Sequence, residues 1–185
     1  FAFQNCDQLE ELIFDPNQTQ IQRNTFKNCP KLEHLILDES MESTKYFNYS
    51  IIEHLNKLTI PKSVNSIEDK SFFHFSSLKN CIISSPVKSI GDEAFKECES
   101  LEKIDIPLSV NNIGISAFYE CSSLTKIVIP STVTLIKDKT FMNCSSLKEV
   151  FLPNTIKIIG KEAFGNCSSL VVIVIPDLVV KIGES

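Results

Sequence analysis

The chain has no apolar run near the roughly 20 residues that a membrane-spanning helix needs, and it has no long run of lysines and arginines. The first absence indicates that this chain contains no membrane span. The second, with 18 basic against 23 acidic residues and a net charge of −5, argues against a nucleic-acid partner. The N-terminal Phe1-Ala2-Phe3 also lacks the charged and apolar regions of a signal peptide.

Sequence motifs of catalysis and metal binding are missing as well. The chain has no glycine-rich phosphate loop, no G-x-S-x-G turn and no C-x-x-C pair. Its three histidines, His34, His54 and His74, occupy different positions of the repeat described below, so their side chains should not converge on one site. We therefore expect no enzymatic activity, no metal site and no cofactor.

What the sequence has instead is a period of 23 residues that dominates its organisation. An aromatic residue recurs with this period at Phe3, Phe26, Tyr49, Phe72, Phe95, Phe118, Phe141 and Phe164. A leucine follows each aromatic by six residues, and apolar positions three and five residues later complete the pattern L-x-x-I-x-I. With 43% apolar residues, the chain can bury a sizeable core.

The repeat unit divides into two extended segments and a turn. A complete unit, LTKIVIPSTVTLIKDKTFMNCSS, occupies residues 124–146. In L-x-x-I-x-I the last two apolar residues lie two apart, so they share one face of a short β-strand, and a proline often follows where the strand ends. A second extended segment, such as Val133 to Ile136, returns the chain. Glycines mark bends where a Cβ would be costly, at Gly91, Gly114 and Gly160.

Stacking of these units is required, because a single coil cannot bury its apolar side chains. The Phe and Cys of A-F-x-x-C lie three residues apart, as at Phe118 and Cys121, and so would share one side of a helical turn. At about 4.8 Å per strand, eight coils would extend about 38 Å. We predict one parallel sheet from the first strands, with short helical turns or second strands opposite.

The domain organisation follows from the same frame. We predict a single solenoid over residues 1–185, of about eight repeats and truncated at both ends, because the chain begins without methionine and partway through a repeat. The third repeat, about residues 41–60, is degenerate. Its consensus Ile, Phe and Cys positions hold Thr44, Tyr49 and Ile52. The nearby aromatics Tyr46 and Phe47, with Tyr49, form either a repacked core or an exposed contact.

The repeat columns, L-x-x-I-x-I-P-x-S-V-x-x-I-G-x-x-A-F-x-x-C-x-S, resemble the BspA-like leucine-rich repeat over essentially the whole chain. Residues 101–123, LEKIDIPLSVNNIGISAFYECSS, are nearly its consensus. The resemblance implies an α/β repeat solenoid, a right-handed leucine-rich repeat arc with one parallel β-sheet on the concave face and short helical turns or second strands on the convex side. It also implies kinship with bacterial and protist surface proteins that bind host matrix proteins or other cells, although some protist members are intracellular.

Six of the seven cysteines fall in one column of the repeat, which we interpret as a structural ladder formed by Cys6, Cys29, Cys98, Cys121, Cys144 and Cys167. In this interpretation they are buried free thiols that pack as small apolar groups. Disulfides between coils and a metal site are the alternatives, although parallel side chains on stacked coils suit the disulfide dihedral poorly. In the fourth repeat Phe75 takes the cysteine position, and Cys81 lies in a strand column.

One outward position of the first strand is apolar in six of eight repeats, with Thr59 and Asp105 in the other two. Such a stripe on an open sheet indicates an interaction surface. The candidate protein-binding sheet face comprises Ile13, Ile36, Ile82, Val128, Phe151, Val174 and the adjacent Val172. Phe151 is the best single anchor, and Val171 widens the stripe. The alternatives are the strand propensity of β-branched residues, or cover by chain outside this fragment.

The distribution of charges and the N-glycosylation sequons add little to the prediction of function. The scattered carboxylates indicate a solvated face, although a mildly acidic N-terminal end could steer a basic partner. Four N-x-S/T sequons do not assign a compartment; they begin at Asn17, Asn48, Asn143 and Asn166.

The repeat and its apolar stripe predict a protein-binding repeat domain, and the resemblance implies adhesion or ligand recognition at a cell surface. The alternative is an intracellular leucine-rich repeat scaffold or regulator that binds a phosphatase or a cytoskeletal partner, and a structural spacer is a third hypothesis. The expected partner is a protein, either a host matrix or cell-surface protein or an intracellular one, and self-association is also open. The resemblance favours the cell surface or secretion over the cytoplasm.

Overall fold

Short parallel strands form two columns in the computed structural model, which describes residues 2–14, 25–26, 28–41, 44, 55–84 and 86–183. The first column contains β1 (Glu11–Phe14), β2 (His34–Leu37), β3 (Lys57–Ile60), β5 (Asn80–Ile83), β7 (Lys103–Ile104), β9 (Lys126–Val128) and β11 (Glu149–Phe151). The second column contains β4 (Ser66–Ile67), β6 (Ser89–Ile90), β8 (Asn112–Ile113), β10 (Leu135–Ile136), β12 (Ile158–Ile159) and β13 (Lys181–Ile182).

Paired residues in both columns are separated by one repeat. Leu35 pairs with Leu58, and Leu58 pairs with Cys81, in parallel register. In the second column Ile67 pairs with Ile90 in the same way. Equivalent positions of the repeat therefore lie directly above one another. The prediction of a solenoid of stacked parallel strands, with second strands opposite the first, is confirmed.

The aromatic column of the repeat forms a stack of rings inside the coils. The ring centroids of Phe95 and Phe118 lie 5.4 Å apart, as do those of Phe118 and Phe141 and those of Phe141 and Phe164. Phe95, Phe118 and Phe141 are fully buried. The inward strand residues and the repeat leucines join these rings in one continuous apolar cluster, as expected when coils bury each other's faces.

The predicted helical turn at A-F-x-x-C is corrected by the structure. In the coil around Phe95, Glu93 and Glu97 have φ angles of 56° and 63°, and residues in the left-handed region interrupt a helix. The N–H groups between them alternate in direction: Phe95 donates to the carbonyl of Ala117 in the next coil, and Lys96 donates back to Glu93. No helix occurs among the described residues, so the α/β assignment gives way to a β-solenoid with turns.

Glycine serves close approach between coils rather than a positive φ, since none of the five glycines has one. A Cβ on Gly114 would lie 2.3 Å from the carbonyl oxygen of Gly91, and one on Gly160 would lie 2.6 Å from the carbonyl carbon of Lys137. These distances are below any real Cβ contact. Lys137 itself occupies the glycine position of its repeat, so its coil cannot approach the preceding one as closely.

Both strand columns are interrupted at the junction between residues 101–123 and residues 124–146, which we call the seam. The prediction of one parallel sheet from the first strands is therefore corrected, because that column divides into a sheet ending at β7 and the pair β9 and β11. The second column divides into β4-β6-β8 and β10-β12-β13. The turns remain connected, because the N–H of Phe118 donates to the carbonyl of Thr140 at 2.9 Å. The coils are therefore joined at the seam through their turns and core, but not through their sheets.

The degenerate third repeat lies largely outside the described residues, as do the predictions made for Tyr46, Phe47, Tyr49, His54 and the sequons at Asn17 and Asn48. Thr44 is described and fully buried. Its hydroxyl accepts the N–H of Glu68 at 2.9 Å and lies 2.6 Å from the hydroxyl of Ser71. A polar residue is tolerated at this apolar position because its hydrogen bonds are satisfied.

Candidate protein-binding surface

The first strand column carries the candidate apolar stripe on its outer side. Alternate strand residues point inward and outward, so in β5 Cys81 and Ile83 are buried while Ile82 is exposed. Ile36 is half-buried. The other six candidate residues are exposed: Ile13, Ile82, Val128, Phe151, Val172 and Val174. Pairing in register places Ile13 beside Ile36 and Val128 beside Phe151.

The stripe is interrupted at the two repeats in which the sequence places a polar residue at this position. Thr59 separates Ile36 from Ile82, and Asp105 interrupts the apolar positions next to the seam. The carboxylate of Asp105 is exposed and lies 2.9 Å from the ammonium of Lys103. Beyond it lies a separate group, which we call the C-terminal apolar patch and which consists of Val128, Phe151, Val171, Val172 and Val174.

Phe151 is held in place within this patch although its side chain is 50% exposed. The ammonium of Lys126 lies 4.7 Å from the centre of its ring, within cation–π range. The same ammonium is 3.0 Å from a carboxylate oxygen of Glu149. An aromatic ring that is ordered before binding loses less conformational entropy when a partner covers it. This arrangement supports Phe151 as an anchor.

The opposite end of the same face carries charged side chains beside the exposed Ile13. His34 bridges two strands, with Nδ1 2.8 Å from Glu11 and Nε2 2.9 Å from the hydroxyl of Thr59. Glu10 and Glu33 line the same shallow depression. The repeat spacing of 23 could have predicted the contact between Glu11 and His34, but the diagonal contact to Thr59 depends on side-chain direction and was missed. The two ends of the face therefore differ in chemistry.

The cysteine ladder lies inside the coils, and all seven cysteines are free thiols. Each buried thiol at the C-terminal end donates to a phenylalanine carbonyl of the preceding coil, at 3.2 Å. The pairs are Cys98 with Phe72, Cys121 with Phe95, Cys144 with Phe118 and Cys167 with Phe141. The thiols thus act as small buried groups with satisfied donors, and neighbouring coils are linked through them.

Burial raises the pKa of these thiols above the ordinary value of 9.0, because the thiolate would be taken out of water. Repulsion between neighbouring ladder thiolates adds to the rise in pKa for Cys121 and Cys144. The effect is smaller near the C-terminus, where the pKa of Cys167 is raised to about 11. These four thiols, Cys98, Cys121, Cys144 and Cys167, therefore stay protonated at neutral pH.

Raising the pH above about 9 is expected to destabilise the fold through these thiols. The unfolded chain ionises them near their ordinary pKa of 9.0, whereas the folded chain holds the proton until its higher pKa is reached, about 11 for Cys167. Their contribution is complete below the unfolded pKa and is lost as the pH rises through the folded one. Urea unfolding midpoints at a series of alkaline pH values measure the loss.

A matched pair of variants isolates the thiol contribution from other alkaline titrations. Cys121→Ala removes a fully buried thiol whose pKa is raised well above 9.0 and should make the fall of stability with pH shallower, whereas Cys167→Ala removes a thiol whose pKa is raised only to about 11 and should change the slope less. An unchanged slope in Cys121→Ala would contradict the explanation.

Groupings that would support metal binding or membrane insertion are not seen within the described ranges. Among the described residues, no three histidine, cysteine or acidic side chains gather in a way that could hold a metal ion. His34 lies on the first strand column, whereas His74 lies in a turn beside Glu97. In the part of the chain that the structure describes, no helix has the length and apolar character to cross a bilayer.

Solved structures of bacterial repeat proteins are similar to this chain. A leucine rich repeat protein of T. pallidum has a TM-score of 0.67 and 24% identity over 87% of this chain and 71% of its own length, which shows the shared fold. A leucine rich cell surface protein from Faecalibacterium prausnitzii has a TM-score of 0.70 and 30% identity over 94% of this chain. This chain spans 43% of that protein's length. No curated protein matches the chain.

The family follows from the repeat itself. The profile of the BspA type leucine rich repeat region matches residues 1–85 and 69–185, with six copies, so the two matches together span the chain. Repeat proteins of this fold generally bind other proteins over an extended surface, and the fold is typically a scaffold rather than an enzyme. The periodic columns, the stacked parallel strands and this match establish that the chain belongs to the BspA-type leucine-rich repeat family.

Proposed function

We propose that this chain is a protein-binding domain that acts in adhesion or ligand recognition at a cell surface, using the outer face of its first strand column. The observation that carries the proposal is the C-terminal apolar patch. Phe151, in the middle of the patch, is half exposed, and Val172 and Val174 beside it are 68% and 75% exposed. Large apolar groups gathered on an open sheet typically mark an interaction site.

The composition of the patch suits recognition of a protein. An aromatic anchor surrounded by aliphatic side chains can be fully desolvated by a partner, which is the arrangement typical of binding hot spots. Lys126 and Glu149 form a charged pair at its edge, 3.0 Å apart, and can contribute to orientation of the partner. The charged end near Glu11 and Glu33 supplies a second, chemically different contact along the same face.

The cell-surface part of the proposal draws on a relative. The Faecalibacterium protein, 30% identical to this chain, is described as a cell surface protein. Antibody labelling of intact and permeabilised cells that produce the protein tests this location. Labelling of intact cells is the expected result. Labelling only after permeabilisation would favour an intracellular scaffold instead.

Removing the anchor should abolish most of the binding. We expect Phe151→Ala combined with Val128→Ala to weaken binding to at least one purified extracellular-matrix protein by roughly 30-fold, since a hot-spot aromatic contributes about 2 kcal/mol or more. Surface plasmon resonance against a panel of such proteins measures the change, with circular dichroism to verify the fold.

A control substitution separates this surface from general apolar stickiness. Leu108→Ala removes a side chain that is 73% exposed but lies in the turn after β7, outside the patch. It should leave the affinity within about twofold of the unsubstituted chain. Equal weakening by both variants, or no saturable binding to any matrix protein, would count against the proposal.

A further inference from the structure

A groove opens on the second strand column, on a different surface from the stripe. It has a volume of about 720 Å³, within the range of ligand and peptide sites. Its principal lining residues are Ile115, Leu135, Lys137, Ile158, Lys161 and Lys181. We call this the second-sheet groove, with Ile115, Leu135 and Ile158 as its apolar floor and the three lysines as its rim. It begins at the seam and extends toward the C-terminal end.

The groove originates in two departures from the repeat. Asp69 and Asp92 each accept the backbone N–H of the equivalent residue one coil later, at 2.7 and 2.8 Å, but Ile115 replaces this aspartate next to the seam. Lys137 replaces the glycine that allows neighbouring coils to approach. Strands β8 and β10 are consequently not paired. The residues that disrupt stacking are thus the residues that line the groove.

The earlier repeats serve as an internal comparison, because the same positions there have opposite chemistry. The outward residue of the second strand is Ser66 in β4, Ser89 in β6 and Asn112 in β8, but Leu135 in β10 and Ile158 in β12. Leu135, Ile158 and Ile115 are 37%, 37% and 44% exposed. Stacking alone does not require apolar residues here, since polar ones occupy the same positions in other coils.

The charge at these positions also reverses sign along the chain. Glu68 occupies the position of Lys137 in an earlier coil, and Asp69 and Asp92 occupy that of Lys161. Among the described residues, none of the three rim lysines has an ion-pair partner. The acidic residue in the groove, Asp138, accepts the backbone N–H of Lys161 at 2.7 Å. A net positive rim therefore surrounds an apolar floor, in a chain whose overall charge is −5.

We propose that the second-sheet groove binds an acidic peptide segment of a protein partner, with the rim lysines contacting its carboxylates and the floor contacting its apolar side chains. An extended peptide alternates its side chains between two sides, so acidic and apolar residues in alternation match rim and floor at once. Charge complementarity of this kind selects the partner and speeds its association. The site is independent of Phe151 and of the stripe.

Fluorescence anisotropy tests the site with a labelled peptide of about eight residues that alternates glutamate and leucine, long enough at about 3.3 Å per residue to cross the groove. The chain should bind this peptide saturably and should not bind its lysine–leucine counterpart. The double charge reversal Lys137→Glu with Lys161→Glu is expected to weaken binding at least about tenfold. Phe151→Ala should have no effect, which separates this site from the stripe.

A control with the same change in net charge excludes long-range attraction. Lys79→Glu with Lys148→Glu alters two exposed lysines outside the groove and should leave affinity within about twofold. Lys137→Gly restores the repeat glycine and should preserve the fold while closing the groove, so it too should weaken binding. Equal loss in both double variants, unchanged binding in Lys137→Gly, or equal competition by a simple fatty acid such as decanoate would overturn the proposal.

Discussion

Truncation of Phe118 to alanine is expected to lower the free energy of unfolding by about 3–5 kcal/mol. The side chain is fully buried, and its ring lies 5.4 Å from the rings of both Phe95 and Phe141. Its removal leaves a cavity in the middle of a continuous stack and deletes two ring–ring contacts.

The cavity cannot easily collapse, because hydrogen bonds between coils fix their spacing. The N–H of Phe118 donates to Thr140 at 2.9 Å, and the N–H of Phe95 donates to Ala117 at 2.8 Å. In a repeat protein, stability depends on contacts between neighbouring coils, so a defect at one coil weakens both of its interfaces. Urea unfolding followed by circular dichroism measures the loss.

Phe151→Ala provides the matched control, since it deletes the same atoms from a side chain that is 50% exposed. Its cost should stay within about 1 kcal/mol, because most of that ring is already in water. Similar losses for the two variants would mean that the ring stack is not a principal source of stability. A difference of the expected size between the two losses would show that the ring stack stabilises the fold through burial.

The coil itself could be predicted from sequence because its apolar columns repeat without insertion. Leu58, Cys81 and Ile104 pair in successive strands, as the L-x-x-I-x-I frame requires. The outward position that holds Ile82 and Phe151 followed from the two-residue alternation of a strand. These features depend on local periodicity and on stacking, which the sequence displays directly.

The prediction of a helical turn at A-F-x-x-C was wrong because its phenylalanine and cysteine are three residues apart. That spacing puts two side chains on one side both in a helix and in the turn that forms. A usable signal was present: the position before the ladder cysteine holds Asn5, Asn28, Asn143 and Asn166, and asparagine is favoured in the left-handed region. Glu97 and Glu120 occupy the same position with positive φ and obscure that signal. The hydrogen bonds that the turn makes to the next coil compete with those of a helix and decide the conformation of the turn.

The seam and the groove lay beyond a pattern-based prediction for a different reason. The sequence shows that Lys137 replaces a repeat glycine and that Ile115 replaces a repeat aspartate. The effect of these replacements on stacking depends on how closely the backbones of adjacent coils approach. That distance is set by the glycine of each coil, whose Cβ would meet the backbone of the preceding coil, and it appears only in three dimensions. The sequence shows where a column changes, and the structure shows that both changes face one groove.

Gly114→Ala tests this account of coil spacing and is expected to cost about 3 kcal/mol. The added Cβ would lie 2.3 Å from the backbone carbonyl of Gly91, which cannot move aside as a flexible side chain could. The coils must therefore separate, and the bond from the N–H of Gly114 to Ile90, now 2.8 Å, should weaken. Urea unfolding measures the energy, and amide exchange at residue 114 measures the separation.

Gly165→Ala is the control, because its Cβ would meet its nearest neighbour, the carbonyl of Glu162, at 3.4 Å, an ordinary contact. This substitution should be neutral or should stabilise the chain slightly, by about 0.5 kcal/mol, since alanine reduces the freedom of the unfolded state. Equal costs at the two positions would show that glycine is needed for some property other than close approach. A large cost at Gly114 alone would mean that the glycine column sets the distance between coils, and that Lys137 opens the groove by interrupting it.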